Sequence, residues 1–138
     1  MINLFNTLAL FSILLILSGC QTTRTETSDA IFNGTALREH NLELNKSSAN
    51  FETGKLTISG SISPIEKRPD VPCGELSLQL FNSKGLLLKE ITTDYSPCHL
   101  HYGPHTTRPG NFIVIVNEIA VQPLMIKVNY KKKAHHDH

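Results

Sequence analysis

Histidines and cysteines carry most of the chemistry that this sequence offers. All but one of the seven histidines follow Cys98 in the chain. Three of them, His99, His101 and His105, belong to one loop-like segment, S-P-C-H-L-H-Y-G-P-H. Histidines two residues apart share one face of an extended chain, and imidazole nitrogens suit zinc or copper. These three histidines are therefore candidate ligands of a Zn or Cu site, with Cys98 as a fourth ligand if its thiol stays reduced.

A simpler interpretation competes with this metal site. No Cys-x-x-Cys or His-Glu-x-x-His motif specifies a ligand geometry, and histidine is also an ordinary loop residue. The His-rich tail at 134–138 adds nitrogen donors, but chain ends are usually poorly ordered. The sequence therefore predicts no cofactor, and Zn or Cu binding is the alternative.

The amino-terminal segment has the pattern of an export signal. An apolar run extends from Leu8 to Leu17, and it is shorter than the roughly 20 residues that span a membrane as a helix. The motif Leu17-Ser18-Gly19-Cys20 follows and resembles the lipobox of bacterial lipoproteins. No lysine or arginine precedes the apolar run, which departs from the usual signal. The alternatives are an uncleaved anchor, or a buried helix in which Cys20 is an incidental thiol.

The lipobox resemblance implies a processed and lipid-anchored protein. It implies that residues 1–19 are removed as a signal peptide and that Cys20 becomes the lipidated first residue. Gln21, rather than aspartate, follows this cysteine. In double-membrane bacteria this implies the periplasmic face of the outer membrane. Residues 20–29 are polar and lack apolar periodicity, which is typical of a flexible tether.

Lipidation of Cys20 would leave Cys73 and Cys98, and an oxidising periplasm favours their pairing. They flank the clearest hairpin of the sequence, in which E-L-S-L-Q-L and L-L-L-K-E-I are joined by the turn N-S-K-G. If this turn centres between Ser83 and Lys84, Cys73 lies opposite a residue near Asp94. A disulfide would then close the open end of the hairpin and withdraw Cys98 from any metal.

Alternating apolar residues predict the strands that position these groups. The alternation has a period of two residues over several segments, and no segment has convincing 3.6-residue spacing. The most apolar segment, N-F-I-V-I-V from Asn111, is apolar on both faces and is therefore expected to be a central strand. Weaker candidates are I-F-N-G-T-A-L from Ile31 and the pair Leu42 and Leu44. The other apolar faces are formed by Leu56, Ile58 and Ile62; by Leu76, Leu78 and Leu80; and by Leu124, Ile126, Val128 and Tyr130.

About six or seven short strands separated by turns predict a single small all-β sandwich over residues 30–133. The pattern loosely resembles the immunoglobulin-like and transthyretin-like modules of exported bacterial proteins. Such folds host many functions, so this resemblance implies an architecture and no activity.

Composition and motifs limit the classes of function that the sequence favours. A formal net charge of +1 with mixed charges disfavours nucleic-acid binding. No nucleophile elbow, phosphate loop or locally placed carboxylate pair indicates an enzyme. We therefore expect a non-enzymatic periplasmic lipoprotein, held to the membrane through Cys20, which presents loops or a strand edge to a protein partner in an envelope assembly or transport system. The alternative is a metal-handling lipoprotein that uses His99, His101 and His105.

Overall fold

Alternating apolar and polar residues form seven strands and one short helix in the part of the chain that the structure describes. The structure is a computed structural model, and it describes residues 30–66, 72–100, 102–103, 108–123 and 125–133. The strands are β1 (Ile31–Asn33), β2 (Leu42–Glu52), β3 (Lys55–Pro64), β4 (Gly74–Phe81), β5 (Leu87–Thr93), β6 (Gly110–Val116) and β7 (Met125–Lys132), with a 3₁₀ helix (Thr35–His40) between β1 and β2.

Several sequence predictions fall outside the described residues. They concern the signal peptide at 1–19, the tether at 20–29 with Cys20 and Gln21, and the tail at 134–138. His101, His105 and Leu124 lie outside the described residues as well.

The strands form two sheets. The four-stranded sheet has the order β1-β7-β4-β5, and the three-stranded sheet has the order β2-β3-β6. All the pairings are antiparallel except the short β1–β7 pair, which is parallel. The predicted all-β sandwich of about six or seven strands is confirmed.

The core lies between the two sheets, because each strand turns one set of alternate side chains toward the opposite sheet. The predicted apolar faces of β3 and β4 are buried completely, as are Ile126 and Val128 of β7. The buried cluster also includes Phe112, Val114 and Val116 of β6. Burial of these apolar side chains is the main driving force for the sandwich.

The predicted hairpin is confirmed as β4 and β5. The Asn82 side-chain oxygen accepts hydrogen bonds from the backbone N–H groups of Lys84 (2.9 Å) and Leu86 (3.0 Å), and Gly85 takes a positive φ of 76°. The predicted register was wrong by two residues. Leu76 pairs with Thr93, because the turn and the register shift between Leu80 and Phe81 displace the pairing.

The expectation that the most apolar strand is central was wrong. β6 is an edge strand of the three-stranded sheet, and β3 is its neighbour in that sheet. Ile113 and Ile115 on its outer face are 65% and 54% exposed. An apolar pattern on both faces shows only that neither face carries charged side chains. It does not specify whether the strand has one or two neighbouring strands in its sheet.

The weak strand candidate near Ile31 contains a second element. β1 ends at Asn33, and the chain continues into the 3₁₀ helix, whose Leu37 is buried in the core. Asn41 ends this helix in the left-handed conformation with a φ of 59°, and β2 then begins at Leu42. Within the described residues, no helix has the length and apolar character needed to cross a membrane.

Candidate functional site

The disulfide between Cys73 and Cys98 joins the start of β4 to the loop that follows β5. The S–S distance is 2.00 Å and the two Cα atoms are 5.0 Å apart. The predicted pairing is therefore confirmed. The bridge closes a loop with a sequence separation of 25 residues, which includes the whole β4–β5 hairpin.

Backbone hydrogen bonds hold the loop that carries Cys98 against β6. Ser96 and Asn111 form an antiparallel bridge, in which the N–H of each residue donates to the carbonyl oxygen of the other at 2.9 Å. Leu100, two residues after Cys98, is buried in the core cluster. The chain is thus fixed on both sides of Cys98 by contacts that do not involve the disulfide.

Tyr95 supports the other cysteine. Its ring is 4% exposed, and its hydroxyl oxygen accepts a hydrogen bond from the backbone N–H of Gly74 at 3.3 Å. Burial raises the pKa of Tyr95, so the hydroxyl stays neutral. Gly110 permits this packing, because a Cβ atom there would lie 2.6 Å from the Tyr95 ring and 2.9 Å from the Leu100 side chain. The residue next to Cys73 is therefore anchored directly to Tyr95.

His99 is exposed and lies beside the disulfide. One ligand atom from each of Cys73, Cys98 and His99 can be chosen so that all three lie within 4.8 Å of one another. The structure therefore brings one of the three predicted histidines to both cysteines. His101 and His105 are outside the described residues, so the three-histidine site stays a prediction.

Sequence reasoning missed Cys73 as a neighbour of His99. It considered only Cys98 as a sulfur ligand, although two sulfurs close enough to bridge are also close enough to bind one ion. The available signal was that His99 follows Cys98 in the chain, so a partner of Cys98 in a disulfide also lies near His99. It missed Tyr95 as a support because the contact with Gly74 spans 21 residues.

Removing the disulfide is expected to destabilise the domain. The double variant Cys73→Ala/Cys98→Ala should lose about 3 kcal/mol of unfolding free energy, because its unfolded chain is no longer constrained by the closed loop. Urea unfolding followed by circular dichroism measures the loss. Wild-type protein in excess reductant is the control and should unfold near the midpoint of the variant. An unchanged midpoint in the double variant would contradict this prediction.

The outer edge of β6 is the second candidate functional site. Since Asn111 bonds outward to Ser96, and bonded and non-bonded positions alternate along an antiparallel strand, the N–H and C=O groups of Ile113 and Ile115 also point outward. No described residue pairs with those outward groups. We define the β6 edge as these backbone groups together with the exposed side chains of Ile113 and Ile115.

The other strands at sheet edges carry features that discourage strand pairing. β2 has a register shift between Leu44 and Ser47 and several charged residues, and β1 has three residues. β5 contains Lys89 and Glu90. Short length, bulges and charges are the usual protections of edge strands. β6 is seven residues long, regular in register and free of charge, so it stands apart from them.

The lysines at the end of β7 are partly neutralised by residues of β5 and the loop after it. Lys131 lies 3.7 Å from Glu90, and Lys133 lies 2.7 Å from Asp94. The Ser77 hydroxyl donates to Glu90 and, with Lys131, holds the pKa of Glu90 below its usual value. Hydrogen bonding to Asp94 raises the pKa of Lys133. These pairs are exposed and contribute little stability, but they reduce the positive charge of this surface.

No protein-family model, no curated protein and no solved structure matches the chain. A proposal for its function therefore rests on the two candidate sites and on the amino-terminal motif.

Proposed function

We propose that this chain is a lipid-anchored, non-enzymatic binding module of the bacterial cell envelope. Its β6 edge accepts an extended segment of a partner protein as an added strand. The lipobox-like motif ending at Cys20 supports the anchor, and Gln21 supports the outer membrane as its address. The single observation that carries the binding role is the exposed and uncharged β6 edge, with which no residue of the described part of the chain pairs at Ile113 and Ile115.

Strand addition fits the chemistry of this edge. The outward N–H and C=O groups of Ile113 and Ile115 offer backbone hydrogen bonds, which give affinity in this mode of recognition. The two exposed isoleucine side chains offer apolar area on the same surface, and burying them against a partner is favourable. Both contributions come from the same two residues.

The β6 edge also indicates which kind of partner segment it can bind. A charged side chain placed beside Ile113 and Ile115 would lose water without gaining a partner, which costs free energy. Apolar and β-branched side chains instead form favourable cross-strand pairs with isoleucine. We therefore infer that the partner contributes an extended, uncharged segment rich in β-branched or aromatic residues.

The predicted tether restricts where this partner is found. Residues 20–29 would reach at most roughly 36 Å when fully extended. The domain would then act close to the membrane surface. The partner is therefore a second envelope protein at the same membrane, rather than a freely diffusing ligand.

Site-specific photo-crosslinking in the native host tests this proposal. A photoreactive amino acid at position 113 should give a discrete adduct, and the same group at Ile31 is the control because Ile31 is 62% exposed, close to the value for Ile113. Adding Ile115→Lys should remove the adduct, because it places a charge beside the added strand. Since the Ile115 side chain points outward, this variant should unfold at the same temperature as wild type.

The identity of the adduct decides between occupants. Mass spectrometry should locate the crosslink in an uncharged, apolar segment of another envelope protein. An adduct with a second copy of this chain, identical adducts from positions 113 and 31, or no adduct from position 113 would each overturn the proposed partner.

A further inference from the structure

We propose that Cys73, Cys98 and His99 form a redox-gated binding site for Cu(I). The site is closed while the two sulfurs are joined and opens when the disulfide is reduced. The chosen sulfur and nitrogen atoms already lie within 4.8 Å of one another. This inference is independent of the β6 edge. The site shares Cys98 and His99 with the metal site predicted from the sequence, but Cys73 takes the place of His101 and His105.

The donor set selects the metal. Reduction supplies two thiols, which bind as thiolates, and His99 supplies one imidazole nitrogen. Soft thiolate ligands favour Cu(I) and zinc among the common biological metals. Zinc in protein sites almost always has four ligands. The three donors that the described residues bring together therefore fit Cu(I) better than zinc.

Contacts outside the disulfide keep the two cysteines close after reduction. The Gly74 N–H donates to the buried Tyr95 hydroxyl, and this anchors the residue next to Cys73. The double hydrogen bond between Ser96 and Asn111 anchors the chain before Cys98. Burial of Leu100 anchors the chain after it. Breaking the S–S bond therefore leaves both thiols near their original positions, which lowers the entropic cost of binding an ion.

Both the reductant and the metal have access to the site. Cys73 and Cys98 are partly exposed, and His99 is exposed. A dithiol reductant transfers two electrons and two protons to the disulfide, which yields two protein thiols and the disulfide of the reductant. Binding of Cu(I) then releases two protons and leaves two thiolates and one neutral imidazole on the ion. Affinity should therefore rise with pH.

A competition titration tests the site. The full lipidated chain is purified in detergent without a polyhistidine tag, reduced under anaerobic conditions and titrated with Cu(I) against the chromophoric chelator bicinchoninate. Reduced protein should withdraw one Cu(I) per chain, and oxidised protein should withdraw none. Copper-edge X-ray absorption should report two sulfur ligands and one nitrogen ligand. Circular dichroism of the reduced protein should match that of the oxidised protein.

Variants separate this site from other copper binding. His99→Asn should weaken Cu(I) binding by at least about 10- to 100-fold, because that is the loss on removing a group that only supports a metal ligand, and His99 binds the ion directly. His40→Asn is the matched control: His40 packs in a tilted arrangement on Tyr130 and is not among the described residues whose ligand atoms come together, so this substitution should leave Cu(I) binding unchanged. Equal binding by oxidised and reduced protein, or loss of structure on reduction, would overturn the inference. Binding that survives His99→Asn but is lost in His101→Asn/His105→Asn would also overturn it.

Discussion

The Cys20→Ala variant is expected to carry no lipid and to keep residues 1–19. The lipobox resemblance implies that the Cys20 thiol receives the diacylglycerol and that cleavage follows this modification. Each buried CH₂ of an acyl chain contributes about 0.8 kcal/mol to membrane binding, so the full set of chains holds a lipoprotein firmly. Metabolic labelling with a palmitate analogue measures lipidation, and mass spectrometry of the intact protein measures retention of residues 1–19.

Cys98→Ala is the matched control for lipidation. It removes a different thiol, one that is engaged in the disulfide, and it should keep the palmitate label. Equal labelling of wild type and Cys20→Ala would refute lipidation at Cys20. The proposed address and the envelope role would then lose their main support.

Truncation of the central core residue Leu78 is expected to destabilise the domain by about 2–5 kcal/mol in Leu78→Ala. Leu78 is 0% exposed and lies in the middle of β4, where Ile91 of β5 and Val128 of β7 are its cross-strand partners. The variant loses the apolar burial of the side chain and leaves a cavity between the sheets. Urea unfolding measures the change in free energy.

Leu87→Ala is the control for the core variant, because it makes the same chemical change at a position that is 52% exposed. Substitutions at such surface positions usually change stability by no more than about 0.5 kcal/mol. A similar loss in both variants would contradict the placement of the core between β4 and the opposite sheet.

The disulfide and the β6 edge lie close together in the fold. Asn111 pairs outward with Ser96, two residues before Cys98, and Ile113 follows two residues further along β6. The loop that carries the disulfide therefore occupies the first outward position of β6. An added strand would pair with the two positions beyond it, so the loop sets where the proposed binding surface begins.

Local sequence patterns were sufficient to predict the strands and the main hairpin. The two-residue alternation in E-L-S-L-Q-L predicts which side chains of β4 are buried, because successive side chains on a strand point to opposite faces. Asn82 and Gly85 predict the turn, since the asparagine side chain bonds nearby backbone groups and glycine accepts a positive φ. Both signals depend on neighbouring residues alone. The prediction of the cysteine pair needed more than local pattern, because the lipobox resemblance assigned Cys20 to lipid and so left the two thiols that flank this hairpin.

The order of the strands could not be predicted from local sequence patterns, because it depends on contacts between distant segments. The sequence of β6 resembles a buried central strand, yet β6 is an edge, because sheet order depends on how distant segments pack and on which strands are available as neighbours. The same reason applies to the register of the hairpin, which was shifted by the irregularity near Phe81.

The amino-acid sequence by itself determined the all-β class, the β4–β5 hairpin and the pairing of Cys73 with Cys98. Only the tertiary structure decided that β6 is an exposed edge and that His99 lies beside both cysteines. The physical reason is that a residue's own neighbours set the direction of its side chain and its turn preference. The residues beside it in space are set by packing between segments that are far apart in the chain.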